Sequence, residues 1–169
     1  MGTAALVLNV PHTTVPSQFG ELYQRYADVV YRAALRVTGS PADSEDVLQT
    51  VFLRLLNRDD LGETARAPEA YFRRAATNAS IDIIRRRATR AESAVDEQMT
   101  APATSSPILK ERLRRAIAQL PPRDAELFSL RYIEGISNSE LADMLGMERV
   151  TVGTRLHRIR QTLQESLEQ

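Results

Sequence analysis

Catalysis needs acids, bases and nucleophiles brought together, and this 169-residue sequence is poor in them. It has no cysteine and two histidines, His12 and His157. The lack of cysteine removes disulfides, thiolate nucleophiles and thiolate metal ligands. One histidine lies in a Thr- and Pro-bearing N-terminal stretch and the other in a basic stretch near the C-terminus. An acid–base constellation is hard to build from that pair. A carboxylate metal site on Asp43, Glu45 and Asp46 would have no His nearby and nothing to enforce its geometry. We therefore expect no catalytic residue, no metal ligand, no cofactor and no enzymatic activity. The groups left with chemistry to do are arginines, aromatic rings and an acidic cluster, and theirs is the chemistry of recognition.

The most informative stretch is SNSELADMLGMERVTVGTRLHRIRQTL, residues 137–163. Ser137 can cap a helix, and Glu140 three residues on can reach back to it, which makes a capping box. Leu141, Met144 and Leu145 follow at helical spacing. Gly146 suits the left-handed residue that stops a helix. Val152, Leu156, Ile159 and Leu163 then form a second apolar stripe. Arg149, Arg155, Arg158, Arg160 and His157 stand between them, with no acid after Glu148. A short helix, a glycine turn and a longer basic helix read as a helix-turn-helix, whose second helix is the candidate for the DNA major groove. If the stripe faces the core, Arg149, Thr151, Gly153, Thr154, His157 and Arg158 face DNA.

The formal net charge is zero, but the charge is not evenly spread. Residues 71–90 hold six Arg and one acid, and residues 149–160 hold four Arg and no acid. Residues 43–63 hold six acids and two Arg. Two basic stretches and one acidic stretch suggest separate surfaces for separate partners. Almost all the basic residues are arginine, with Lys110 the only lysine. The spacing of apolar residues and the shortage of alternating β-branched runs predict an all-α protein.

Taken in order, residues 1–16 read as a loose tail, and Ser17 can cap a first helix. An apolar stripe from Phe19 to Val37 follows, ended by Gly39 and Pro41. DSEDVLQTVFLRLL, residues 43–56, reads as a second helix capped by Asp43. Val47, Leu48, Val51 and Leu55 form its buried side, with Phe52 at the border. Glu45, Asp46 and Gln49 lie on or near the exposed side, where acids also suit a helix N-terminus. Pro68 or Glu69 opens a third helix, with Phe72, Ala76, Ala79 and Ile83 apolar. Asn78 and Asp82, four apart, share a face, bracketed by Arg73, Arg74, Arg85, Arg86 and Arg87. Tyr71 and Phe72 put rings beside arginines, the combination that holds single-stranded nucleic acid. Residues 91–106, rich in Ala, Ser and Thr, read as a flexible linker that leaves the two halves free to take many relative positions. Leu109, Leu113, Ile117 and Leu120 then line one side of a further helix. Pro121 and Pro122 break it, and residues 124–133 form the next. This divides the chain into a tail (1–16), a first helical domain (17–90), a linker (91–106) and a second helical domain (107–169). No apolar run approaches the roughly 18 residues needed to span a bilayer. The N-terminus lacks the basic start of a secretion signal. We expect a cytoplasmic protein with no membrane insertion.

These residues resemble the extracytoplasmic-function (ECF) class of bacterial sigma factors in the sigma-70 family. DSEDVLQTVFLRLL is similar to the family's core-polymerase docking helix. The resemblance implies that Glu45, Asp46, Gln49 and Phe52 dock core RNA polymerase. PEAYFRRAATNASIDIIRRR is similar to its promoter-melting and −10-reading segment, with Asn78 and Asp82 at the N-x-x-x-D positions. Tyr71, Arg74, Asn78, Asp82, Arg85 and Arg86 are then the implied −10 residues. LPPRDAELFSLRYIEGISNSELADMLGM and TVGTRLHRIRQTL are similar to the lead-in and recognition helices that read the −35 element. Arg131 sits where the family contacts phosphate. Three positions depart from the pattern. Tyr71 stands for the usual Trp, Glu148 for Ser, and Gly153 for Lys or Arg, which removes one DNA contact. The implied partners are core RNA polymerase, promoter DNA and an anti-sigma factor. A stand-alone helix-turn-helix regulator of duplex DNA is the alternative, but it leaves residues 43–56 and the aromatic–arginine stretch without a role.

Overall fold

The computed structural model describes residues 18–57, 66–93 and 106–168. The expected tail, the Ser17 cap and most of the expected linker lie outside the described residues. Every described element is helical. The first half has α1 (Gln18–Thr38), α2 (Pro41–Leu56) and α3 (Pro68–Ser93). The second has α4 (Ser106–Gln119), α5 (Pro122–Phe128), a π-helical turn (Ser129–Ile133), α6 (Asn138–Leu145) and α7 (Arg149–Glu168).

In α1 the expected stripe is real: Tyr26, Val30, Ala33, Ala34 and Val37 are buried. The helix stops at Gly39, whose φ of +67° an L side chain adopts only with strain. Two residues later α2 begins, and its start corrects the sequence reading. Ser40, not Asp43, is the N-cap, and its hydroxyl accepts the Asp43 amide at 3.3 Å. The reason is Pro41, which lacks an N–H and fits the first helical position, so the helix begins earlier. Asp43 instead pairs with Arg87, tying the start of α2 to the far part of α3.

Phe72 organises the first core. It is completely buried between two rings, stacked on Tyr26 at 4.8 Å and on Phe52 at 5.2 Å between centroids. Phe52 is 3% exposed and also meets Phe19 and Tyr23 edge-on. It is therefore a core residue and is withdrawn from the docking surface, because its ring has no access to a partner.

α3 does more than its sequence suggested. Phe72, Ala76 and Ala79 join the first core. Ile81 and Ile84, together with Val37 of α1, join the second core beside Ala116, Ile117 and Leu120. So α3 is buried on two sides, and the halves share an apolar seam. The sequence reading left the halves free to take many relative positions; in the structure they share this seam. Leu109 departs from the expected apolar side of α4 and is exposed, while Ile117 and Leu120 are buried.

Replacing Phe72 with Ala should remove about 3–5 kcal/mol of unfolding free energy, the usual cost of emptying a buried aromatic site. Tyr71→Ala, at a half-buried position, should remove about 1 kcal/mol. Urea denaturation followed by circular dichroism measures both, and comparable losses at the two positions would contradict this division of labour.

Candidate nucleic-acid and polymerase interfaces

The helix-turn-helix forms as its local signals require. The Ser137 hydroxyl accepts the Glu140 amide at 3.2 Å, and the Glu140 carboxylate accepts the Ser137 amide at 3.0 Å. Hydrogen bonding of the carboxylate to Ser137, to its side chain first and its backbone amide second, holds the Glu140 carboxyl below the usual carboxylate range. A depressed carboxylate stabilises above its ordinary value and stops doing so as pH falls through the lowered one, so the cap is intact at neutral pH. Gly146 closes α6 at φ +62°. Val152, Leu156, Ile159 and Leu163 are all buried, which turns the opposite arc of α7 outward.

That arc carries the expected DNA-facing residues. Arg149, Thr151, Thr154, His157 and Arg158 are exposed, and a Cβ placed on Gly153 would meet nothing within 4 Å. Thr154 has its hydroxyl proton committed to the Val150 carbonyl at 3.0 Å, so toward a base it can accept or offer its methyl, but not donate. Arg131, on the π-turn, is half-buried with its guanidinium over the Tyr132 ring at 5.6 Å. Two residues in this region change their reading. Arg155 is not part of a free basic face, because its Nε is 2.5 Å from Asp124 Oδ1 on α5. Val150 was passed over in the sequence, yet it is 81% exposed and begins the same row as Thr154 and His157.

On α2, Glu45, Asp46 and Gln49 are exposed, with Leu53 and Leu56 exposed further along. The acidic face thus includes two apolar side chains that periodicity alone had not marked. A shallow hollow beside it is lined by Asp46, Gln49, Leu53, Arg86 and Arg90.

The expected −10 residues on α3 divide into two groups. Tyr71 is half-buried, its ring edge-on to Phe72 at 5.3 Å. Asp82 and Arg86 are exposed, with Asp82 3.9 Å from Arg54. Arg74, Asn78 and Arg85 instead turn into the seam. Glu126 Oε1, on α5, accepts from Arg74 Nε at 2.6 Å and from Asn78 Nδ2 at 2.8 Å. Arg85 donates to the carbonyls of Ala118 (3.2 Å) and Leu120 (2.7 Å), covering the C-terminal end of α4. Beside them, Glu134 is bound through both oxygens by Arg36 at 2.8 Å, with Arg73 3.6 Å away. Its carboxylate is fully buried. The hydrogen bond to Glu134 raises the Arg36 guanidinium above its ordinary value, against the opposing effect of burial. Arg114 returns the gesture across the seam by donating to Val37 O at 3.1 Å. A Cβ on Gly39 would fall on that Arg114 guanidinium, so glycine serves both the turn and the approach. The sequence analysis missed Glu126 and Glu134; nothing local marks a lone acid as the partner of arginines many residues away.

Among the described residues no group of three or more His, Cys, Asp or Glu could hold a metal, and no helix is long and apolar enough to cross a membrane. The geometry therefore offers one basic helix face, one acidic helix face and one arginine-bearing helix between them. Comparison with known proteins gives these faces a context. Sigma-70 region 2 matches residues 22–90, and sigma-70 region 4 matches residues 110–163. The ECF RNA polymerase sigma factor SigE of Mycolicibacterium smegmatis is 32% identical over 175 residues, covering 98% of this chain and 67% of that protein. The ECF RNA polymerase sigma factor SigL of Mycobacterium tuberculosis is 34% identical over 157 residues, covering 85% and 88%. Among solved structures, CnrH in complex with the cytosolic domain of CnrY superposes with a TM-score of 0.54 at 26% identity, covering 89% of this chain and 87% of that one. Two sigma-70 regions in series, matched along the whole length by ECF relatives, place this chain in the ECF class of the sigma-70 family of RNA polymerase sigma factors.

Proposed function

We propose that this sigma factor engages its partners through three of its helices. The acidic face of α2 docks core RNA polymerase through Glu45, Asp46 and Gln49, with Leu53 and Leu56 adding apolar contact. The outward arc of α7 enters the −35 major groove. The α3 row of Tyr71, Arg74, Asn78, Asp82, Arg85 and Arg86 holds the separated −10 strand. The observation that carries this reading is the sidedness of α7: its apolar stripe is buried without exception, and the arc left outside bears Arg149, Thr151, Thr154, His157 and Arg158. Exposed acids on α2 support a basic partner that DNA cannot be. The chain itself makes and breaks no covalent bond, since polymerisation belongs to the core enzyme, and it works in the cytoplasm where that enzyme is. An anti-sigma factor is its expected regulator.

Roles divide by chemistry. Phosphate contacts position a protein on DNA, and base contacts set its sequence preference. Arg131 and Arg149 grip phosphate, while Thr154, His157 and Arg158 lie nearest base edges. Val150 adds an apolar side chain of the kind that meets a thymine methyl.

Promoter-dependent run-off transcription with purified core polymerase tests the whole reading, using templates selected from a randomised pool. A chain that confers no promoter dependence would sink it. Asp46→Arg should abolish co-purification with core polymerase at unchanged helical content; wild-type recovery would refute the docking face. Arg158→Ala should cost about 1–3 kcal/mol at one −35 base pair and relax selectivity there. Arg155→Ala should instead leave −35 preference unchanged and lower stability by about 1 kcal/mol, since its partly exposed pair with Asp124 is screened by solvent. Binding of the holoenzyme to a panel of −35 variants, with thermal melts of the free proteins, separates the two.

A further inference from the structure

The outward arc of α7 is not polar throughout, because Val150 stands on it with 81% of its surface exposed. We propose that Val150, with the Thr154 methyl group one helical turn on, reads the 5-methyl group of a pyrimidine in the −35 major groove. This sigma factor then discriminates thymine from uracil, and 5-methylcytosine from cytosine, at that position. The proposal rests on the reading of α7 as the helix that enters the −35 groove.

Placement follows from the helix period. Val152, Leu156, Ile159 and Leu163 fix the buried side of α7. Val150 and Thr154 then lie within about 40° of the line directly opposite that stripe, and both are exposed. Val150 is in the first turn of α7, which starts at Arg149, and the N-terminal residues of a recognition helix are the ones that meet base edges. A helical side chain leans toward the N-terminus and covers the turn before its own Cα. The residues placed to cover Val150 are therefore Gly153 and Thr154, three and four positions on. Gly153 has no side chain, and a Cβ there would meet nothing within 4 Å. A long side chain at 153 would lie over Val150, and glycine leaves it bare. Thr154 donates its hydroxyl proton to the Val150 carbonyl at 3.0 Å, which ties the two residues into one unit.

The chemistry of the groove then selects the ligand. Most of what a base edge presents there is a hydrogen-bond donor or acceptor, and the apolar exception is the methyl on C5 of thymine. Uracil and cytosine carry hydrogen at that carbon, whereas 5-methylcytosine carries the methyl beside its N4 amino group. Arginine side chains on the same arc can serve phosphates and purine acceptors, but Val150 offers them nothing. Pressed against a polar base atom, it would bury that atom without a partner. It gains only from an apolar neighbour. Its branched side chain is stiff at χ1, so little rotamer freedom is lost when a base covers it. Thr154 adds a methyl group and an oxygen that can accept but not donate, which suits an exocyclic amino group. A cytosine under this row therefore gains a contact when it is methylated, and a thymine loses one when its methyl is removed.

The test uses holoenzyme assembled from core polymerase and this full-length chain, on duplex promoters that the wild-type holoenzyme selects from a pool randomised across the −35 element. Each thymine of that element, on either strand, is replaced in turn by uracil, which removes one methyl and leaves base pairing intact. Each cytosine is replaced in turn by 5-methylcytosine. Competition binding should find one position, or two neighbouring ones, where losing a methyl weakens binding about four-fold or gaining one strengthens it about four-fold, the worth of one buried methyl group. Val150→Ala should bring that ratio close to one, and Val150→Ile should keep it. The side chain is exposed, so neither substitution disturbs the buried stripe of α7. Indifference to every methyl across the −35 element would overturn the proposal. So would a methyl effect that Val150→Ala leaves unchanged, since the methyl would then act through the shape of the duplex. Arg158→Ala separates this failure from failure of the underlying reading. If it relaxes −35 selectivity while the methyl effect ignores Val150, α7 is in the groove and the methyl reader alone is refuted. If it leaves selectivity unchanged as well, or if the wild-type holoenzyme selects no −35 sequence, both fall together.

Discussion

A carboxylate with no access to water must be given partners, and much of this molecule follows from how Glu134 is given them. Arg36 reaches it from α1 and Arg73 from α3. Glu134 is itself placed by the π-turn, where its amide donates to Ser129 O at 3.0 Å. Such wide turns are uncommon and are frequent at functional sites. One residue thereby joins both halves. Around it stand a second carboxylate, Glu126, and two helix ends covered reciprocally, α4 by Arg85 and α1 by Arg114. A helix C-terminus carries unpaired carbonyls and a partial negative charge, so an arginine there answers both.

The parts of this fold that were legible in the sequence are those set by local rules. The capping box at Ser137 and Glu140, the left-handed Gly146 and the stripe from Val152 to Leu163 all depend on residues within a few turns of each other. Each was recoverable from spacing. The cap of α2 was misread because Asp43 is a good cap in isolation, while Ser40 followed by Pro41 is a better one. The helix pattern left Phe52 at the border of the buried side, and the resemblance set it on a partner surface, because one helix alone does not say how wide its buried side is. The rings of Phe19, Tyr23 and Phe72 settle that from other helices.

The seam was not legible, for a different reason. Glu134 and Arg36 are 98 residues apart, and Glu126 and Asn78 are 48 apart. In sequence each is an ordinary surface charge. Only the fold removes their water. The same holds for Ile81 and Ile84, which look like spare apolar residues on a helix whose Phe72–Ala76–Ala79 side is already accounted for. Sequence resemblance supplied the expected −10 roles of Arg74, Asn78 and Arg85, and the structure adds that those same donors have internal acceptors. The α2 and α7 faces are exposed with the two halves packed together.

The account rests on two outward faces, the acids of α2 and the arginine-bearing arc of α7, meeting different partners. Run-off transcription by core polymerase carrying this chain, with Asp46→Arg and Arg158→Ala beside the wild type, tests it most directly. The account predicts that Asp46→Arg loses transcription from every promoter, whereas Arg158→Ala still initiates and loses discrimination at one −35 base pair. Equal losses in both variants, or a wild-type chain that confers no promoter dependence, would contradict it.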